Sequence, residues 1–355
     1  MSLIFAAQYM AKRLYNKQNR KELKQIYSST SEERRVISFY RYIQIIQPEV
    51  FRNRLYEALD SIHLKGRIYI AQEGINAQVS IPADKIEAFK KIIESFQELK
   101  DIRLNIAIEH QSKSFFALII KVRDKIVADG IEDPAFSATN SGTHLDAAAF
   151  NQLVQDPNTV IVDMRNHYES EVGHFKNAIL PEVVTFRESL PIVKDELADK
   201  KDKPIIMYCT GGIRCEKASA YLLHHGFKNV YQLEGGIIKY ANDVKNLGLP
   251  NLFIGKNFVF DERLGERISD DIIARCHQCD TPADDHTNCA NDACHILFIQ
   301  CPECKIKFNG CCSIKCADFI QLPKEEQMTL RKTETFNGSK FSKGRYKAYR
   351  PGANR

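Results

Sequence analysis

The stretch Pro204-Ile-Ile-Met-Tyr-Cys-Thr-Gly-Gly-Ile-Arg-Cys215 sets the fold class of the middle of the chain. Its apolar start is typical of a strand that is buried on both faces of a parallel sheet, and a helical pattern follows from Glu216 to His225. Between them, Gly211 and Gly212 allow the backbone to curl so that successive N–H groups point inward. The sequence therefore predicts a buried strand, a tight loop and a helix.

This loop is expected to stabilise a negative charge. Its inward N–H groups and the positive end of the following helix both favour an anion, and Arg214 adds a full positive charge. A Cys209 thiolate at the centre of the loop would have a lowered pKa and would be nucleophilic at neutral pH. The alternative is an inert cysteine buried at the end of a strand, which is common for this residue type.

Alternating strands and helices surround the loop over residues 143–250, and this pattern predicts an α/β domain with a central parallel sheet. A short linker rich in Gly, Ser, Asn and Pro is expected before it, over 126–142. The predicted strands are Val160–Asp163, Pro204–Tyr208 and Asn229–Leu233, and the predicted helices are Asp146–Gln155 and Glu216–His225.

These residues resemble the rhodanese domain, in which the first loop cysteine carries a persulfide; here that residue is Cys209. Four residues separate Cys209 from Arg214, whereas related phosphatase loops have five, so the spacing favours a sulfur carrier. Tyr240 stands where many rhodaneses have Trp. The resemblance rests on the loop residues Thr210, Gly211, Gly212 and Ile213, on the supporting residues Asp163, Arg165 and Glu169, and on Gly173-His174, Ala178, Pro181 and Leu233-Glu-Gly-Gly236.

Cys215 follows the loop directly and has two interpretations. It could resolve an oxidised or persulfidated Cys209 by forming a disulfide. Alternatively, it is a small residue that packs at the start of the helix. The sequence does not decide between them.

An earlier domain, over residues 36–125, is expected to be ferredoxin-like, similar to acylphosphatase. Its predicted order is β-α-β-β-α-β with one additional strand, an α+β arrangement. The strands are Val36–Tyr42, Gly66–Ala71, Ala77–Ile81, Arg103–Ile108 and Phe115–Val122, and the helices are Glu49–Ile62 and Asp84–Phe96.

A cysteine-rich region over 251–325 indicates zinc. Two CxxC pairs and further cysteines are the usual source of thiolates for tetrahedral ions. One partition gives two groups of four, and His277, His286 or His295 could replace a thiolate. Four protein ligands leave no open position, so the role would be structural; the alternative is a cysteine-rich knot that retains no metal. The groups are Cys276, Cys279, Cys301 and Cys304, and Cys289, Cys294, Cys312 and Cys316.

Charge is uneven along the 355 residues, whose net charge is +5. Residues 1–35 form a basic, helical pattern, and Arg331–Arg355, in the tail 326–355, has eight basic residues against one acidic residue, or +7. A basic tail on a nearly neutral body fits an arm for nucleic acid, with Phe336, Phe341, Tyr346 and Tyr349 available for stacking. The alternative is a solvated, disordered end.

The sequence excludes or disfavours several classes of protein and of cofactor site. No apolar run reaches the roughly 18 residues of a membrane-spanning helix, and the N-terminus is a poor secretory signal, so a cytoplasmic protein is expected. No GxGxxG or GxxxxGK[ST] motif occurs, and no nucleotide cofactor is predicted. His144-Leu-Asp146 has the spacing of an iron-binding motif, but without a distal partner it reads as the start of a helix.

The order of these features resembles the rhodanese-containing tRNA uridine hydroxylase family. The resemblance covers about residues 36–325 and includes Gln72-Glu-Gly-Ile-Asn76, Cys209-Thr-Gly-Gly-Ile-Arg-Cys215 and Cys276-His-Gln-Cys279. It implies an enzyme that uses molecular oxygen to convert the wobble uridine of tRNA into 5-hydroxyuridine, with Cys209 essential. The alternative is a plain sulfurtransferase that passes sulfur from Cys209 to an acceptor.

Overall fold

The computed structural model describes residues 32–109 and 114–336, together with Leu23. Most of the predicted basic extension at 1–35, and the part of the predicted basic tail from residue 337 onward, lie outside the described residues. By internal contacts the chain divides into two compact units. The first comprises the described residues up to Val160, with Ala198–Asn251 and Phe260–Arg263; the second comprises Ile161–Leu197, Leu252–Val259 and the described residues from Leu264 onward.

The strands are short and spread over the whole described chain. They are β1 (Arg34–Tyr42), β2 (Lys65–Ala71), β3 (Gly74–Pro82), β4 (Asn105–Ile106), β5 (Leu118–Val122), β6 (Thr143–Leu145), β7 (Val160–Asp163), β8 (Gly173–Phe175), β9 (Pro204–Tyr208), β10 (Asn229–Leu233), β11 (Phe253–Asn257), β12 (Glu266–Arg267), β13 (His286–Asn288) and β14 (Leu297–Ile299).

The helices range from four to thirteen residues. They are α1 (Pro48–Asp60), α2 (Ile86–Ser95), α3 (Ala147–Leu153), α4 (His167–Ser170), α5 (Phe186–Glu196), α6 (Ile213–His224), α7 (Gly236–Leu247), α8 (Pro302–Lys307), α9 (Ile314–Gln321) and α10 (Lys324–Leu330), with 3-10 turns at Ala83–Lys85, Gln97–Leu99 and Ala198–Lys200. None of these helices is long and apolar enough to cross a bilayer.

The first sheet has the order β4-β1-β3-β2-β5, with β5 parallel to β2 at one edge. One face is apolar and is covered by α1 and α2. The alternating side chains of the strands create this face, because successive residues point to opposite sides. The prediction of a ferredoxin-like α+β domain is confirmed. The buried residues on this face are Ile37, Phe39, Ile68, Ile70, Ile75, Ala77, Val79, Leu118 and Ile120.

The predicted strands of this domain differ from the observed ones in their bounds: β1, β2 and β3 begin one to three residues earlier, and β5 begins at Leu118 and not at Phe115. The strand expected over Arg103–Ile108 pairs only at Asn105 and Ile106, opposite Ser38 and Ile37 at the sheet edge. The strand expected from Ala77 begins earlier, at Gly74, where φ is 145° and an added Cβ would lie 2.0 Å from the Arg41 carbonyl oxygen. The close approach of the two strands requires glycine there.

In the same unit, β6, β10 and β9 run parallel as neighbours, as predicted for the α/β part. The continuous buried run lies in β9, where Ile205, Ile206, Met207 and Tyr208 are fully buried. Tyr240, which stands in place of the expected Trp, is also buried; its hydroxyl donates to Asn151 Oδ1 at 2.8 Å. A smaller ring with a buried hydrogen bond therefore occupies this position.

The second unit contains the order β12-β11-β8 and the cysteine-rich region, where β13 pairs with β14. Helix α4 begins with a capping box, in which Asn166 N donates to Glu169 Oε1 at 3.1 Å. The Arg165 guanidinium is fully buried and forms a bidentate ion pair with Asp163. The three supporting residues predicted from sequence, Asp163, Arg165 and Glu169, therefore form one buried cluster in this unit.

Candidate functional site: a cysteine loop and two cysteine clusters

The cysteine loop runs from the end of β9 to the start of α6. Cys209 is fully buried, and the Gly212 backbone N–H donates to its sulfur at 3.1 Å. Gly212 has φ 100°, and a Cβ there would lie 2.7 Å from the Tyr40 hydroxyl oxygen. Helix α6 begins at Ile213, three residues before the predicted start at Glu216, because the chain turns into the helix directly after this left-handed glycine.

Electrostatics favour a thiolate at Cys209. Burial raises the pKa of Cys209, but the Cys215 thiol, the Arg214 charge and the N–H groups of Arg214 and Gly212 stabilise the anion and together lower the pKa to about 6. The pKa of Cys215 is instead raised well above its usual value, by burial and by its hydrogen bond to Cys209. Arg214 donates to Thr210 Oγ1 at 3.2 Å, within the same loop. The loop can therefore hold a nucleophilic sulfur at neutral pH.

Side chains from the first sheet contact the loop, and the sequence analysis missed them. The Tyr42 hydroxyl donates to the Ile213 carbonyl at 3.3 Å, and Asn105 Nδ2 donates to the Gly211 carbonyl at 3.4 Å. Tyr40 donates to Glu216 Oε1 at 2.9 Å. Ser38, Tyr40 and Tyr42 alternate with buried apolar residues in β1, but any antiparallel sheet with one solvated face shows this alternation, so the sequence contains no specific signal for these contacts.

Glu216, one turn into α6, is a second point of contact. It accepts hydrogen bonds from Tyr40, His144 Nε2 and Gln232 Nε2, each at 2.9 Å. Burial raises the pKa of Glu216, and the hydrogen bonds outweigh burial and lower the pKa to about 2. His144 is thus paired with Glu216, while Asp146 caps α3 by accepting from the Ala149 N–H at 2.8 Å. His144 and Asp146, which have the spacing of an iron-binding motif, therefore have separate structural roles and separate partners.

A buried lysine ties α6 to the hairpin that contains Gln72–Asn76. Lys217 Nζ donates to both carboxylate oxygens of Glu73 at 2.9 Å and also pairs with Asp129. Glu73 in turn accepts from the Ile126 N–H at 2.7 Å. Lys217 and Asp129 are each only 1% exposed at their side chains. A charge pair so well shielded holds its partners strongly in place.

Eight cysteines of the second unit form two groups of four, and these are the two groups considered in the sequence analysis. Within each group the four sulfur atoms lie within 4.8 Å of one another. The Cys279–Cys301 and Cys294–Cys312 pairs are each separated by 3.6 Å and the Cys312–Cys316 pair by 3.8 Å. A tetrahedral zinc ion with Zn–S bonds of about 2.3 Å requires a sulfur separation of about 3.8 Å. The donor set and spacing fit zinc.

The histidines weighed as substitute ligands do not complete these groups. His277 Nδ1 accepts from the Ile299 N–H at 3.0 Å, and Nε2 lies 3.2 Å from Glu171 Oε1. His286 packs against the Phe258 ring, with centroids 5.0 Å apart. Cys311 is buried and outside both groups. Each group therefore consists of four thiols without a histidine.

Three domain families match the chain. The family described as UPF0176 acylphosphatase like domain matches residues 34–126, the rhodanese-like domain matches 146–243, and the rhodanase C-terminal family matches 254–317. A protein of Pectobacterium atrosepticum named tRNA uridine(34) hydroxylase is 57% identical over 90% of both chains. One of the same name from Photorhabdus laumondii is 55% identical over 94% of this chain and 95% of its own.

The chain belongs to the tRNA uridine(34) hydroxylase family. The family matches confirm the predicted fold class and the resemblance stated from sequence. A solved rhodanese-like domain from Anabaena aligns over 32% of this chain and 78% of its own at 22% identity, with a TM-score of 0.25. The hydroxylase relatives extend beyond the rhodanese part and cover the first sheet, the cysteine loop and the cysteine groups together.

Proposed function

We propose that this protein is an oxidoreductase that hydroxylates uridine 34 of tRNA at C5, giving 5-hydroxyuridine, and that Cys209 is its reactive residue. The observation that carries the proposal is the buried thiolate environment of Cys209, with its pKa lowered to about 6, in a chain of this family. The partner is tRNA, and the expected place of action is the cytoplasm.

The thiolate supplies a chemical reason for reaction at C5. In uracil, C6 is the β-carbon of an unsaturated carbonyl and accepts a nucleophile. Addition of the Cys209 sulfur to C6 would move electron density to C5, where the new C–O bond forms. Loss of the C5 proton together with the C6–S bond would then restore the ring double bond and the thiolate. Arg214 and the loop N–H groups hold the sulfur as an anion before addition and after elimination.

Molecular oxygen is the proposed source of the new hydroxyl group. One oxygen atom replaces the hydrogen on C5 and the other leaves as water, a balance that draws two electrons and two protons from a reductant. Cells grown under ¹⁸O₂ test this by nucleoside mass spectrometry. We expect 5-hydroxyuridine to gain two mass units, whereas an unlabelled product would assign the oxygen to water.

We also propose that each cysteine group binds one structural zinc ion. Eight thiolates in two groups of four leave neither ion an open position, so zinc would stabilise the cysteine-rich region and take no part in the reaction. We divide the chain into domains at 36–125, 143–250 and 251–325, with the linker at 126–142, an extension at 1–35 and a tail at 326–355.

Sulfur transfer is the second candidate, because the loop matches the rhodanese-like domain. In that case Cys209 carries a persulfide whose outer sulfur passes to an acceptor and leaves the Cys209 thiolate. Alternatively, the Cys215 sulfur attacks the inner sulfur of the persulfide, which forms the Cys209–Cys215 disulfide and releases the outer sulfur as sulfide. Nucleoside analysis of tRNA from cells with and without the gene separates the two functions. A hydroxylase changes 5-hydroxyuridine and its derivatives; a sulfurtransferase changes thionucleosides or leaves tRNA unaltered.

A further inference from the structure

The first sheet has a second face, opposite α1 and α2. The strand register places Gln78 beside Arg67 and Arg67 beside Ile119, and places Tyr69 beside Lys121. These residues alternate with the buried apolar ones of the same strands, so their side chains lie on the face away from the helices. At the β2–β5 edge of this face, Arg67, Ile119 and Lys121 are exposed and Tyr69 is half-buried.

The edge is basic. Arg67, Lys121 and Arg123 are all exposed, and none of them forms an ion pair with a carboxylate among residues 32–109 and 114–336. The Arg123 guanidinium lies 5.9 Å from the centre of the Tyr69 ring. Uncompensated cations grouped around an aromatic ring are the combination with which proteins bind single-stranded nucleic acid, because the cations meet phosphates and the ring stacks on a base.

This edge continues to the cysteine loop. Arg67 Nη1 donates to the Phe260 carbonyl at 3.3 Å, and the Phe260 ring centre lies 6.0 Å from the Arg214 guanidinium. Other residues on the same sheet face, Tyr42 and Asn105, hydrogen-bond to the loop backbone. One sheet face therefore joins the exposed basic edge to the reactive sulfur within one compact unit.

We propose that the β2–β5 edge binds the single-stranded RNA next to the reacting uridine, with Lys121 and Arg123 contacting phosphates and Tyr69 stacking on a neighbouring base. The inference rests on the proposed function for the identity of the RNA, which is then the anticodon loop. Its unpaired bases are already accessible to a side chain that stacks. Sequence-independent contacts of this kind position the strand, and the cysteine loop acts on the uridine delivered to it.

Binding of full-length protein to a tRNA transcript and to a single-stranded anticodon-loop oligonucleotide tests the proposal. The variant Lys121→Ala/Arg123→Ala removes two proposed phosphate contacts; Lys91→Ala/Lys100→Ala removes two exposed cations elsewhere in the same domain. For two lost contacts to single-stranded RNA, the slope of log affinity against log salt should flatten by roughly 1.4. The control variant should keep its slope and bind within about twofold of wild type.

A stacking role is tested separately at Tyr69. Tyr69→Leu should weaken oligonucleotide binding about tenfold without changing the salt slope, and Tyr69→Phe should restore it, since both rings stack. An unchanged slope in the Lys121/Arg123 variant, or equal losses in its control, would overturn the proposal. Equal competition by polyglutamate at matched charge would also overturn it, in favour of an acidic protein partner.

These measurements are independent of the chemistry. If tRNA nucleosides are unchanged in cells lacking the protein while the edge variants still lose oligonucleotide affinity, the hydroxylase assignment fails and the RNA-binding edge stands. If 5-hydroxyuridine depends on the protein while the edge variants bind RNA as wild type does, the edge proposal fails alone.

Discussion

Cys209 combines two features that usually oppose each other. It is fully buried, which by itself would keep a thiol protonated and inert, and it receives enough hydrogen bonds and positive charge to bring its pKa down to about 6. The pKa of the neighbouring Cys215 shifts in the opposite direction, and its thiol donates a hydrogen bond to the Cys209 sulfur. The two cysteines therefore divide their roles, with one thiolate and one thiol at neutral pH.

We predict that Cys209→Ser abolishes hydroxylation, by at least about 10³-fold, because a serine hydroxyl is not ionised in this loop. The melting temperature should change by only a few degrees, as for a stability change of about 1 kcal/mol. Product formation is measured by nucleoside mass spectrometry and folding by thermal denaturation. Near-wild-type activity of this variant would show that the reaction does not need the Cys209 thiolate.

The pH dependence of Cys209 alkylation gives a second prediction. Only the thiolate reacts with iodoacetamide, so the rate should rise with pH to a plateau with a midpoint of about 6. Burial slows the reaction equally at every pH and leaves the midpoint unchanged. Arg214→Ala removes the positive charge and should move the midpoint upward; the same midpoint in both proteins would show that Arg214 does not stabilise the thiolate.

At the scale of elements, helix α6 is held at several points. Its first turn follows the cysteine loop directly and contains Arg214. Its buried Lys217 pairs with Glu73 of the hairpin and with Asp129 of the linker. We predict that Lys217→Met lowers the free energy of unfolding by about 3 kcal/mol, because two carboxylates lose their buried partner. Urea denaturation measures the change.

The control for this variant is Lys228→Met in the same unit. Lys228 pairs with Asp202, but the two side chains are 71% and 78% exposed, and losing such a pair should leave the free energy of unfolding almost unchanged. Lys217→Arg should recover part of the stability, since it retains the charge. Equal effects of Lys217→Met and Lys228→Met would contradict a structural role for the buried pair.

The cysteine groups predict two zinc ions per chain. Metal analysis of protein purified without chelator should give two ions, and Cys279→Ala should lose about one of them. Cys311→Ser is the matched control, because Cys311 is a buried cysteine of the same region that belongs to neither group. Removing zinc should unfold residues 270–320 and leave the rhodanese part folded, whereas a metal-free and stably folded region would reject the assignment.

At the scale of the whole molecule, the basic tail remains a predicted arm for tRNA, with one correction. Phe336 was expected to be available for stacking, but it packs against Phe319 with ring centres 4.7 Å apart. A truncation that preserves this contact therefore ends after Phe336 and removes six basic residues of 337–355. If three to five of them meet phosphates, the salt slope of tRNA binding should flatten by roughly two to four units.

The set of modified tRNAs should not change on truncation, since phosphate contacts position a ligand without reading its bases. An unchanged salt slope would show that the tail does not contact tRNA phosphates and is a solvated end. Altered selection of tRNAs at an unchanged slope would mean that the tail reads sequence or shape.

The sequence predicted most of what depends on local pattern. The strands Val160–Asp163, Pro204–Tyr208 and Asn229–Leu233 have their predicted bounds. The first two are short apolar runs, which are typical of buried parallel strands. The composition of the two cysteine groups also followed from spacing. The contacts of Tyr42, Asn105 and Glu73 with the loop and its helix did not, because they join residues more than a hundred positions apart and leave no periodic signal in one sequence.

The most direct test of the central claim is position-specific nucleoside analysis of tRNA. Cells lacking the gene are supplied with wild-type protein or with Cys209→Ser at equal expression, and the fragment containing position 34 is examined by mass spectrometry. We predict that wild-type protein raises 5-hydroxyuridine or its derivatives at position 34 above the level in the deletion strain, and that Cys209→Ser does not. Equal restoration by the two proteins would contradict the proposed role of Cys209, and no change with either would contradict the hydroxylase assignment itself.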